Sequence, residues 1–302
     1  MGGGLSAHEL AAAVSDSGGL GTIGLLAPAD LRREIAAARA LSDKPLAVNL
    51  LLPFARRAHF DAAGEADVLV TFWGRPRRRT AKTWMHQCGS VEEALAAREA
   101  GADAVIAQGH EAGGHVRGTL PALELLARVC AAVGGSYPVL SAGGVADAAE
   151  LSARLELGAE AAVCGTSFLM TDESGAHPGY KARLMTARET ILTELFGVGW
   201  PAPHRVVGNE ATSRWLKGDA RGPRWLRAGQ RATAPLLSRV PVPMQVRLAA
   251  TQRPGRPVFG PAAATEGGPS NLLDAGPLYA GECVARIADV RPARERVREL
   301  VP

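Results

Sequence analysis

Seven histidines occur in the 302-residue chain, and one of them, His115, stands where a proton-transfer group is useful. It closes the stretch Gln108-Gly109-His110-Glu111-Ala112-Gly113-Gly114-His115, which follows the apolar run Ala104-Val105-Ile106-Ala107. That run reads as a short buried strand ending at Gln108. The two glycines, lacking Cβ atoms, let the backbone turn sharply and approach a ligand closely. Imidazole has the side-chain pKa nearest neutrality, so a strand delivering Gly-Gly-His into a loop suits a site where a flat cofactor meets a proton acceptor. Glu111 is placed either to orient that imidazole or to cap a helix. His8, His59, His86, His110, His177 and His204 lack a comparable setting, although His177 falls in a segment read below as a lid.

Two more glycine loops follow apolar runs: Gly143-Gly144 after Pro138-Val139-Leu140-Ser141, and Gly165-Thr166 after Ala161-Ala162-Val163-Cys164. In a βα barrel the last two strands supply a phosphate site from backbone N–H groups and a helix N-terminus. One such loop could be no more than a tight turn. Two on successive strands favour phosphate binding, with the Thr166 hydroxyl as a further donor. Asn49 lies inside the otherwise apolar Leu46–Leu52 run, where an unpartnered amide costs about 1–3 kcal/mol. Its partners are either a cofactor or substrate rim or the chain's own backbone. Gln108 poses the same choice at its strand end, and the loop after it favours the site.

The elements that must position these residues alternate. Short strands are expected at Thr22-Ile23-Gly24, Leu46–Leu52, Asp67–Trp73, Thr83–Cys88, Ala104–Gln108, Pro138–Ser141 and Ala161–Cys164. Amphipathic helices intervene, one opened by a Ser90/Glu93 capping box. Such β-α alternation implies parallel strands with helical crossovers. The expected fold is a TIM (β/α)8 barrel lacking its first strand or truncated there, because Met1-Gly2-Gly3-Gly4 reads as a loop that follows a strand. The crossovers at 55–66 and 74–82 are short. Residues 1–170 and 253–302 are assigned to the barrel and its C-terminal element. Residues 171–252 are assigned to a mainly helical lid, with a helical stretch from His177 to Phe196 and Pro241-Val242-Pro243 within it.

Composition narrows the function. The chain is 47% apolar with net charge +4, and only four of its basic residues are lysines. The dense run Arg75-Pro76-Arg77-Arg78-Arg79 lacks interleaved aromatics and reads as a solvated loop, so no nucleic-acid partner is expected. Cys88, Cys130, Cys164 and Cys283 are scattered without metal-ligand spacing, so neither a metal site nor a disulfide framework is expected, and Cys88 and Cys164 read as reduced core residues. Neither a signal peptide nor a bilayer-length apolar run is visible, and a cytoplasmic protein without membrane partners is expected.

The residues resemble the nitronate monooxygenases, the 2-nitropropane dioxygenase-like flavoproteins. The matching text is Met1-Gly2-Gly3, Gln108-Gly109 with Glu111–His115, Ser141–Val145, Cys164–Phe168, Ala176-His177-Pro178 with Tyr180-Lys181, Gly199-Trp200-Pro201 and Leu278–Gly281. The resemblance implies a barrel holding FMN without a covalent link. Met1, Gly2 and Gly3 would touch the flavin ring, and Asn49, Gln108 and the Gly113-Gly114 turn would make polar or close backbone contacts. Gly143, Gly144, Val163, Cys164, Gly165 and Thr166 would hold the phosphate. His115 matches the catalytic base, which would take the α-proton of a nitroalkane or position a nitronate. The flavin would oxidise the nitronate, with O2 or another acceptor completing conversion to a carbonyl compound and nitrite. Val163 stands where relatives often carry a polar residue, and Cys164 where they carry a larger apolar one. Two alternatives remain open: an NAD(P)H-dependent flavin reductase acting on a quinone or enoyl thioester, and a non-catalytic flavin binder. A homodimer is compatible with the chain.

Overall fold

Seven strands rich in Val, Leu, Ile and Ala pair in parallel in the computed structural model of the chain, which describes residues 1–237 and 247–301. They are β1 (Gly21–Ile23), β2 (Leu46–Leu51), β3 (Val68–Phe72), β4 (Thr83–Cys88), β5 (Ala104–Gln108), β7 (Val139–Ala142) and β8 (Ala161–Val163). Their spatial order follows the chain, with β1 and β8 as the edges. Near-continuous apolar runs suit strands covered on both faces. The result is TIM-barrel architecture represented by a curled sheet of seven strands.

The chain divides into two compact units. The first comprises Met1–Ala112, Arg117–Gly175 and Asp289–Pro302, and the second Gly113–Val116 and Ala176–Ala288. In the first, the outer face of the sheet (Leu46, Val48, Leu69, Trp84, Val105, Val139) packs on helices α1 (His8–Asp16), α2 (Pro28–Leu41), α3 (Arg57–Ala63), α4 (Val91–Glu99) and α5 (Ala122–Val133). Leu31, Ile35 and Ala38 recur on one side of α2, while Leu125, Leu126, Val129 and Val133 do so on α5. The capping box at α4 forms in part. Ser90 Oγ accepts the Glu93 N–H, but the Glu93 carboxylate reaches back to the Gly89 N–H at 2.8 Å. The inner face is a smaller cluster of Ala47, Val68, Val70, Ile106 and Ala142. Between β3 and β4 the described chain has no helix, so the short crossover at 74–82 is a loop.

The second unit holds strands as well as helices, where the sequence suggested mainly helix. β10 (His204–Val207) pairs antiparallel with β9 (Ile191–Thr193), with β6 (Gly114–His115) and with β11 (Leu278–Tyr279). The helix expected from His177 to Phe196 stops at Thr186, and Ile191-Leu192-Thr193, containing two β-branched residues, joins the sheet instead. The boundaries also differ from those expected. Residues 253–288 belong with 176–252, because Phe259, Ala275, Val206 and Phe196 share one core. Pro241-Val242-Pro243 lies outside the described residues. Among the described residues, no helix is long and apolar enough to cross a membrane.

Candidate active site

Parallel strands bring their C-terminal ends to the same edge of a sheet, and there the first unit collects most of the residues singled out above. Asn49 is two residues beyond Ala47 and pairs with Val70, which places it on the inner face. Gln108 pairs with Ala142, and Ala142 with Val163, so Gln108 and Val163 share that face. Met1–Gly3 packs beside the exit of β1, with the Gly3 N–H donating to the Leu25 carbonyl at 3.3 Å. A Cβ on Gly24 would fall 1.9 Å from the Met1 carbonyl oxygen.

The two glycine loops are tied to each other. Ser167 Oγ donates to the Val145 carbonyl at 2.9 Å, joining the turn after β8 to the turn after β7. Gly143 and Gly144 both have positive φ (110° and 76°), which only glycine adopts at little cost. Beneath them is a residue that sequence reading missed. Arg154, 5% exposed on α6 (Ala148–Glu156), donates to the Gly143 and Glu150 carbonyls at 2.7 Å each. Nothing in the sequence separates this buried arginine from the solvated ones. At Gly165 the position a Cβ would take faces open space. Val163 is exposed at the strand end and Cys164 is half-buried, so Cys164 is a loop residue, not the core residue expected; Cys88 is buried as expected. A pair of linked glycine turns with room beside Gly165 fits a phosphate-bearing cofactor.

Gln108 and Glu111 have structural duties. The Gln108 Oε1 accepts the Arg117 N–H at 2.9 Å, closing the loop on which the chain leaves and rejoins the first unit. Glu111 caps α5, its two carboxylate oxygens accepting the Ala122 N–H at 3.0 and 2.9 Å. The cap reading of Glu111 therefore holds. Trp73, at the exit of β3, is the sole non-glycine residue with positive φ (60°) among those described, and the Arg117 guanidinium lies 5.1 Å from its ring centroid. The Arg75–Arg79 run is largely exposed, and Arg78 pairs with Asp103 at 3.1 Å.

His115 belongs to the second unit, on β6, in register with His204. Its ring stacks on Trp200 (centroids 3.6 Å apart, planes 16° apart) and lies 5.3 Å from His204 and 5.6 Å from Tyr279. Burial is the main cause holding its pKa well below 6.5, so the ring is neutral at pH 7 and a weaker base than a solvated imidazole. A Cβ on Gly113 would fall 2.4 Å from the Gly281 nitrogen, so the close approach this glycine permits is made by the chain's own backbone. Gly114, with φ of 73°, has open space at the same position. His177 is a helix cap, accepting the Gly179 N–H at 3.0 Å. His204 and Tyr279 reach His115 through strand pairings far apart in sequence, and Trp200 through the turn before β10, which residue spacing does not reveal. Among the described residues, no cluster of His, Cys, Asp and Glu could hold a metal ion.

The family model described as nitronate monooxygenase matches residues 1–86 and 77–302. A probable nitronate monooxygenase of Bacillus subtilis (strain 168) is 31% identical over 249 residues, covering 65% of this chain and 72% of that protein. FabK from Thermotoga maritima superposes with a TM-score of 0.76 at 30% identity, over 100% of this chain and 90% of that one. A nitroalkane oxidase from Streptomyces ansochromogenes superposes with a TM-score of 0.74 at 29% identity, over 99% and 92%.

Proposed function

For a chain that belongs to the nitronate monooxygenase family and is an oxidoreductase, we propose FMN-dependent oxidation of nitronates and their parent nitroalkanes, with His115 as the proton acceptor. The observation that carries the cofactor assignment is the convergence of Asn49, Gln108, Val163 and the linked Gly143-Gly144 and Gly165-Thr166 turns at one end of one sheet. Backbone groups of the two turns would hold the FMN phosphate, with Arg154 fixing the shape of the first. Asn49 and the inner-face strand ends would meet the flavin ring, with Met1–Gly3 beside the exit of β1. Bound FMN supplies the redox chemistry between the nitronate and an acceptor such as O2.

The protein's own contribution to the reaction is proton handling. A neutral imidazole takes the α-proton of the nitroalkane, which the nitro group makes acidic, and leaves the nitronate anion beside an imidazolium. Trp200 fixes the plane of the ring and shields one face of it, limiting the directions from which the substrate approaches.

The test compares wild type and His115→Ala, both loaded with FMN, on a neutral nitroalkane and on the preformed nitronate. Nitrite release from the nitroalkane should fall about 10²- to 10⁴-fold, the usual worth of general-base catalysis. Release from the nitronate should fall far less. Unchanged nitroalkane turnover would remove His115 from the mechanism.

A further inference from the structure

The second unit contains a device acting on His115 through a neighbour. His204 is fully buried on β10, and both of its ring nitrogens are spoken for by backbone. Nε2 accepts the Phe196 N–H at 3.2 Å, and Nδ1 lies 2.9 Å from the Ala202 carbonyl oxygen. The backbone amide can only donate and the carbonyl can only accept. Both bonds therefore require one neutral tautomer, with the proton on Nδ1. Burial lowers the His204 pKa to about 4, in keeping with a ring that stays neutral.

The two backbone groups are the ends of one turn, Phe196-Gly197-Val198-Gly199-Trp200-Pro201-Ala202. Within it, the Trp200 N–H donates to the Gly197 carbonyl at 3.1 Å, and Val198 is tied to Phe259 at 3.0 Å. Two glycines, Gly199 with φ of 80°, make the segment costly to order without anchors at its ends. The turn carries the indole that stacks on His115. His204 also stands opposite His115 in the β6–β10 register, so one strand position fixes the turn and borders the ring that the turn covers.

We propose that His204 is a positioning residue for His115: its imidazole clips both ends of the Phe196–Ala202 turn and thereby holds Trp200 against the His115 ring. This rests on the reading of His115 as the proton acceptor for its consequence in turnover, but not for its structural content. A ring held flat against an indole presents its nitrogens in one plane, so a loosened turn leaves the proton acceptor present but disordered. The effect belongs in kcat more than in KM, because proton transfer depends on orientation while substrate binding draws on other groups.

The experiment uses the full chain loaded with FMN and labelled with ¹³C-histidine, read by the His115 Cε1–H resonance, which the Trp200 ring current displaces upfield. His115→Gln identifies the signal and Trp200→Leu gives its unstacked position. His204→Phe keeps the ring volume and removes both clip bonds. It should move the resonance toward the unstacked position and lower kcat for a nitroalkane at least tenfold, with KM changed less than threefold. His204→Asn keeps a donor for Ala202, and His204→Gln an acceptor for Phe196. Each should restore part of the displacement, which makes the test independent of whether the Phe variant folds. A His115 resonance unmoved in folded His204→Phe overturns the clip, and so does one that in both His204→Asn and His204→Gln either stays at the wild-type position or moves all the way to the Trp200→Leu position. The separate failure, full nitroalkane turnover in His115→Ala, would overturn the catalytic reading while leaving the spectroscopic result in place.

Discussion

Acid should destabilise the first unit through His86, by an amount that can be worked out in advance. His86 is 2% exposed on β4, with Nδ1 2.8 Å from the Thr71 hydroxyl, which also accepts the Trp84 indole N–H at 2.8 Å. Burial is the main cause lowering its pKa from 6.5 to about 4; Glu93 opposes the shift and Arg117 adds to it. The folded protein therefore keeps this ring neutral while the unfolded chain takes up a proton as the pH falls through 6.5. The unfolded state then binds more protons, so stability is full above pH 6.5 and declines as the pH drops toward 4. The whole gap is worth about 3 kcal/mol, of which roughly 2 kcal/mol is lost by about pH 5. Urea denaturation followed by circular dichroism at about pH 7.5 and about pH 5 measures it, with His86→Asn as the non-titrating reference. Wild type should lose roughly 2 kcal/mol more than the variant between these conditions. The variant's lower absolute stability does not enter, because only the difference between two pH values is compared. Equal losses would refute the argument that desolvation of His86 dominates. His204 should act in the same direction in the second unit, its pKa also being lowered to about 4 by burial.

The remaining predictions separate cofactor contacts from structural ones. Gly165→Ala should leave thermal stability within about 0.5 kcal/mol, since open space receives the new methyl, but weaken FMN binding tenfold or more by fluorescence titration. Gly113→Ala should do the opposite, costing about 1–3 kcal/mol or more in stability because its methyl meets the backbone at Ala280-Gly281. Arg154→Met should loosen the Gly143 turn and lower FMN affinity, removing charged hydrogen bonds worth about 1.5–3 kcal/mol each. Glu111→Gln should cost about 1 kcal/mol through the cap on α5 and leave the pH profile of kcat unchanged.

Much of the first unit was legible because its signals are local. Apolar runs gave seven strands, and the Ser90 cap and the α2 and α5 periodicities placed helices between them. The glycine pairs were visible for the same reason, since a turn after a strand is written in adjacent residues. What escaped depends on pairing between distant segments. Gly113–Val116 leaves its neighbours to join β10, so His115 sits in a different unit from Gln108, seven residues earlier in the chain. The partners of His115 come from positions 200, 204 and 279, and no periodicity links them. Arg154 carries no sequence signal because arginine on a helix is usually solvated, and only the carbonyls it meets make it a support for the Gly143 turn. A helix over His177–Phe196 is what the local sequence predicts, yet only Pro178–Thr186 is helical, because Ile191–Thr193 finds its partner in β10.

The central claim is an FMN-bound oxidoreductase of nitronates, and anaerobic mixing of the FMN-reconstituted chain with a nitronate tests it most directly. The oxidised-flavin absorption should bleach within the mixing experiment, and admitting O2 should restore it with release of nitrite. A chain that takes up no FMN would contradict the account. So would one whose flavin stays oxidised with the nitronate yet is bleached by NADH or NADPH.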